Sequence, residues 1–118
     1  MSVLPLTPET TGIMNAGFFG MLADGAFIIN GGRGPQVDDD DLLAALDSGK
    51  LGGAALDVFA VEPLPQDHAF WTHPKVRVWP HVAAQTNAVS AADQVARAIT
   101  AMIAGDEPAN RVDWARGY

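Results

Sequence analysis

Three short apolar runs, AFII (26–29), GAALDVF (53–59) and VRVW (76–79), alternate with segments of helical character. This alternation constrains the fold more than any other feature of the chain. Short apolar runs bounded by turn residues read as strands. Strands separated by helical crossovers pair in parallel within an α/β sheet. AFII, unbroken and flanked by glycines, is expected to be buried on both faces, as parallel strands are. Four aspartates at 38–41 lead into LLAALDSG. Acids in a first turn suit the helix dipole, and Gly49 stands where a C-terminal cap belongs, so DDDD reads as a helix start rather than a metal site. Met14, Phe18 and Leu22 recur as on a short amphipathic helix, which Asp24-Gly25 ends. SAADQVARAITAMIAG (90–105) reads as a longer helix capped by Ser90, with Val95, Ile99, Met102 and Ile103 on one face.

Three strands with about as many helices make half of a doubly wound domain. The fold class is therefore α/β, the second half of a parallel, Rossmann-like sheet followed by a C-terminal helix. An open sheet edge is expected, and with it self-association, to which the apolar face of the last helix contributes.

Composition narrows the function. The 118 residues carry seven Lys and Arg against fourteen Asp and Glu, a formal net charge of −7. The arginines at 33, 77, 97, 111 and 116 form no cluster, and a nucleic-acid binder needs a basic footprint. There is no cysteine, so disulfides and thiolate metal sites are excluded. No apolar run is long enough to span a membrane, and no basic-then-apolar leader opens the chain. The expected setting is cytoplasmic.

Parallel α/β sheets hold ligands outside the carboxyl ends of their strands. Arg33 follows the first run, Asp57 lies in the second with Glu62 shortly after, and His81 follows the third. Arg33 offers a fork of donors to a carboxylate. His81 is suited to proton transfer near neutral pH, and Glu62, in a proline-stiffened loop, could orient its ring. Asp57 interrupts an apolar run and needs donors to justify its place; a polar ligand group or a nearby backbone turn would supply them. His68 and His73 are read as structural, and metal binding there is not expected. No G-x-G-x-x-G, phosphate-loop or G-x-S-x-G motif occurs.

LPLTPETTGIMN, INGGRG, LLAALDSGKLGGAALDVFAVEPLP and WPHVAA, in this order and spacing, resemble the C-terminal half of the D-isomer-specific 2-hydroxyacid dehydrogenases. The ending VDWARGY resembles the branch of that family that acts on glyoxylate and hydroxypyruvate. The resemblance implies reduction of a small 2-keto acid with NADP or NAD, NADPH being favoured. It casts Arg33 as the substrate-binding arginine, His81 as the acid/base and Glu62 as its partner. Pro5, Leu6, Thr7, Gly31, Gly32, Asp57 and Ala83 are cast as cofactor-lining. It also implies a longer enzyme, with the glycine-rich fingerprint and a substrate domain ahead of this portion. Residues 1–88 are then the second half of the cofactor domain, and 89–118 a helix and tail leading back to the substrate domain. The alternative expectation is an inactive half-domain that self-associates.

Overall fold

The computed structural model describes residues 1–115; the last three residues of the VDWARGY ending lie outside the described residues. The chain forms two compact units, one ending at Ala83 and the other beginning at Ala84. Among the described residues no helix is long and apolar enough to cross a membrane.

The first unit holds α1 (Ala16–Met21), β1 (Ala26–Asn30), α2 (Asp39–Asp47), β2 (Leu51–Leu56) and β3 (Val76–Val78), with short 3-10 turns at Gly34–Gln36 and Ala69–Trp71. The strands form one sheet in the order β1-β2-β3. Both pairings are parallel, so Asn30, Leu56 and Val78 lie level at one end. The α/β reading from the apolar alternation is correct. Asp38 caps α2, its side chain accepting the Asp41 amide, and acids fill the first turn, where they satisfy free N–H groups and the dipole together. Leu42, Ala45 and Leu46 of α2 are buried with Ile28, Leu51, Leu56 and Val76 of the strands and with Met14, Phe19 and Phe70. Gly49, just beyond α2, takes the left-handed φ of 82° expected of a C-terminal cap.

Two readings need correction. β1 is not buried on both faces: Ile28 and Asn30 point inward, whereas Phe27 and Ile29 are 73% and 46% exposed. Side chains alternate along a strand, and within this unit only the face bearing Ile28 and Asn30 is covered. The second strand begins at Leu51 and ends at Leu56, so Asp57 stands just past its end, where polar groups are readily met by loop backbone.

In the second unit α3 runs over Ala88–Ala104. Its cap is Asn87, whose side chain accepts the Val89 and Ser90 amides; Ser90, expected as the cap, donates its hydroxyl to the Asn87 carbonyl from inside the first turn. Both residue types cap well, and sequence alone does not choose between candidates three positions apart.

Candidate active site

Because the three strands run parallel, the segments after them leave from one edge of the sheet. Main-chain pairing continues beyond the strands: the Trp79 amide donates to the Leu56 carbonyl at 2.8 Å, and the His81 amide to the Asp57 carbonyl at 2.8 Å. His81 is thereby set directly beside the end of β2, in a left-handed conformation with φ 56°. For a residue with a Cβ that conformation costs about 1 kcal/mol, so something must hold it.

Asp57 supplies the hold. Its side chain is buried, and its two oxygens accept the amides of Val82 and Ala83, each at 2.9 Å. Of the two justifications open for this carboxylate, a backbone turn is the one seen. Each oxygen takes one protein donor, leaving acceptor capacity for a ligand N–H.

Glu62 completes the histidine's surroundings. Its Oε2 lies 2.8 Å from His81 Nδ1, and its Oε1 accepts the Phe59 amide at 2.9 Å. The hydrogen bond from His81, and after it that from Phe59, holds the Glu62 carboxyl below its usual value of 4.5. An ionised carboxylate can only accept, so Nδ1 carries a proton. Nε2 is then the nitrogen that gives or takes one.

Arg33 is exposed and, among the described residues, makes no ion pair; its Nη1 rests on the Gly32 carbonyl at 2.7 Å. It is close enough to contribute to the lowering of the Glu62 pKa. Gly34 explains the proximity. A Cβ built there would lie 1.8 Å from the Phe59 carbonyl carbon and 2.0 Å from its oxygen. Only a residue without a side chain lets the Arg33 turn press against the loop that carries Glu62.

Two buried amides, not singled out by the sequence reading, fasten this turn. Asn30 Oδ1 accepts the Gly32 amide at 3.0 Å, and Nδ2 donates to the Arg33 carbonyl at 3.1 Å. Gln36, fully buried, accepts from the Arg33 amide at 3.3 Å and the Ser2 hydroxyl at 3.1 Å. Its Nε2 donates to the Leu4 and Pro5 carbonyls, both at 3.0 Å. Asn30 carried a signal, a polar residue ending an apolar strand; Gln36 carried none beyond its position between Pro35 and Val37.

The expected cofactor-lining residues fall around the same edge. The Gly31 amide donates to the Ser2 carbonyl at 3.0 Å. Pro5 is held by Gln36 and by the Thr10 hydroxyl at 2.8 Å; Leu6 is exposed and Thr7 buried beside it. A cavity of about 360 Å³ is lined by Gly31, Asp57, Val82, Ala83 and Trp79. A second, of about 450 Å³, is lined by Phe59, Leu64 and Trp71 together with Glu62 and His81. Val82 and Ala83 thus line the compartment beside Asp57, and His81 and Glu62 line the other. His68 and His73 stand outside this group, paired with Asp39 at 3.6 Å and Asp47 at 3.2 Å.

Residues 1–83 match the family described as D-isomer specific 2-hydroxyacid dehydrogenase, NAD binding domain. The whole chain aligns at 52% identity with a glyoxylate/hydroxypyruvate reductase A from Serratia proteamaculans and at 49% with one from Salmonella newport, spanning 38% of the length of each. A D-isomer specific 2-hydroxyacid dehydrogenase from Xanthobacter autotrophicus, solved with NADPH and MES, superposes with a TM-score of 0.93 at 47% identity, over 98% of this chain and 48% of that one. An NADPH-dependent glyoxylate/hydroxypyruvate reductase from Sinorhizobium meliloti, solved with NADP and sulfate, gives 0.90 at 44%, over 98% and 38%. The chain belongs to the D-isomer specific 2-hydroxyacid dehydrogenases, through their NAD binding domain.

Proposed function

We propose that this chain is the acid/base-bearing part of a longer NADPH-dependent reductase that converts a small 2-keto acid, glyoxylate or hydroxypyruvate, into the 2-hydroxy acid. The observation that carries the reading is the Glu62–His81 pair at 2.8 Å, set at the carboxyl edge of a parallel sheet beside an arginine with no ion-pair partner among the described residues. Relatives that carry reductase names support it, and they lend nothing to an inactive, self-associating half-domain. Self-association of an active enzyme remains the expected partnership.

Residues fit the cofactor at its nicotinamide end. The compartment beside Asp57 is walled by Gly31, Ala83 and Trp79, and Asp57 keeps acceptor capacity for a carboxamide. When bound, the nicotinamide supplies the hydride. Arg33 grips the keto acid's carboxylate through two parallel N–H donors. That fixes the carbonyl toward His81, whose protonated Nε2 delivers a proton to the oxygen as it becomes an alkoxide. Glu62 keeps Nδ1 protonated and the ring aligned throughout. Pro5, Leu6, Thr7 and Gly32 line the approach.

The test is NADPH oxidation with glyoxylate and with hydroxypyruvate, wild type against His81→Ala. Loss of the proton donor should lower kcat by about 10² to 10⁴-fold. Undiminished turnover in His81→Ala would remove the assignment.

A further inference from the structure

We infer that Gln36 is a positioning residue that ties the Arg33 turn to the Leu4–Pro5 segment, so that one side chain links the substrate and cofactor sides of the site. The inference rests on the reductase reading for its functional consequence, and on geometry for the rest.

Gln36 lies in the turn after β1, and nothing about catalysis requires an amide there. It is nevertheless fully buried and every polar atom of it is used. The Oε1 side holds the Arg33 amide and the Ser2 hydroxyl; the Nε2 side holds the Leu4 and Pro5 carbonyls. Three of these partners lie 31 to 34 residues before Gln36 in sequence, and the fourth lies three residues before it. No other side chain joins them among the hydrogen bonds of the described residues, since Asn30 bonds only within the turn itself. Gly32 makes the room: a Cβ there would fall 2.7 Å from Gln36 Oε1 and 2.9 Å from the Leu4 carbonyl oxygen. The glycine and the glutamine are thus one device.

An apolar side chain of similar length deprives the Arg33 amide, the Ser2 hydroxyl and the Leu4 carbonyl of a hydrogen bond, while the Pro5 carbonyl keeps the Thr10 hydroxyl, and a polar group left without a partner is costly. The Arg33 turn and the Leu4–Pro5 segment then lose their side-chain tie and keep the main-chain bonds of Ser2 to Ile29 and Gly31. The reacting groups keep their chemistry and lose their alignment, which is felt first in binding.

The experiment compares Gln36→Met with wild type in the intact enzyme. The KM for glyoxylate and the KM for NADPH should both rise about tenfold, with kcat within about threefold, because His81 and Glu62 are anchored independently through Asp57 and Phe59. In parallel, hydrogen exchange at the Arg33 amide should quicken at least tenfold while β2 amides keep wild-type rates. A change confined to one KM, a fall in kcat alone, or wild-type exchange at Arg33 overturns the inference. If Gln36→Met does not fold, Ser2→Ala, which deletes one bond to the same oxygen, must show the same double rise in KM at smaller size; a wild-type profile there overturns it equally. Should the wild type reduce neither keto acid, it is the reductase reading that fails, and the exchange rates alone then decide the role of Gln36.

Discussion

Glu62 shows how much of the site is decided by single atoms. One oxygen takes a backbone amide and the other a ring nitrogen, so an amide side chain could accept one of the two bonds and would turn a donor toward the other. Both bonds favour the ionised form, and the carboxyl is held below 4.5. A depressed folded pKa means that the pair's contribution is complete above the usual value and is lost as pH falls through the depressed one. A carbon-13 titration of the Glu62 carboxyl should therefore give a midpoint under 4.5; a midpoint at or above it contradicts the pairing. The sequence pointed to Glu62 and His81 through their places after successive strands. It could not give the Phe59 amide, which depends on how the loop folds back within three residues. Asp57 was legible only as an anomaly, a carboxylate in an apolar run. The turn that satisfies it lies 25 and 26 residues onward, beyond the reach of local pattern.

At the scale of elements, what was legible was what short-range periodicity controls. The three apolar runs became strands, and the acidic run before Leu42 became a helix start. What was not legible depends on which face meets a neighbour. AFII has no polar residue to betray its exposed side, yet Phe27 and Ile29 point away from the buried core. The glycines around Arg33 looked alike in sequence and are unlike in space. At Gly31 the nearest atom to a built Cβ is the Ser2 carbonyl oxygen at 4.0 Å, whereas at Gly34 the Phe59 backbone intrudes to 1.8 Å. Gly31→Ala should thus change stability by about 0.5 kcal/mol or less. Gly34→Ala must push two backbone segments apart and should cost about 3 kcal/mol, at the upper end of overpacking effects. Urea unfolding of the two variants measures the difference. Equal costs would mean that the Arg33 turn is not held against the Phe59–Ala60 backbone.

The first unit as a whole carries an electrostatic tension that its pH dependence should expose. The chain has a net charge of −7, and α2 concentrates three acids in its first turn. The helix dipole favours all three, but Asp39 is also half-buried against His68. Burial outweighs the attraction of His68, and the neighbouring Asp38 and Asp40 add to it, so the Asp39 carboxyl is pushed above its usual 3.8. The sign is opposite to that of Glu62. A carboxylate with a raised folded pKa favours the fold most when protonated, and that advantage disappears as pH rises through the raised value. At neutral pH the molecule bears the cost of a charge that it half-buries, while Glu62 remains fully favourable. On acidification the Asp39 cost is relieved as pH falls toward 3.8, and the Glu62 contribution is lost only below 4.5. Removing the charge should therefore help where it is ionised and do little where it is not. Asp39→Asn is expected to melt higher than wild type at neutral pH, with the gap closing as the pH approaches 3.8. If the variant melts lower at neutral pH, the contact with His68 outweighs the burial of Asp39, and the first turn of α2 is an attractive pair rather than a tolerated strain.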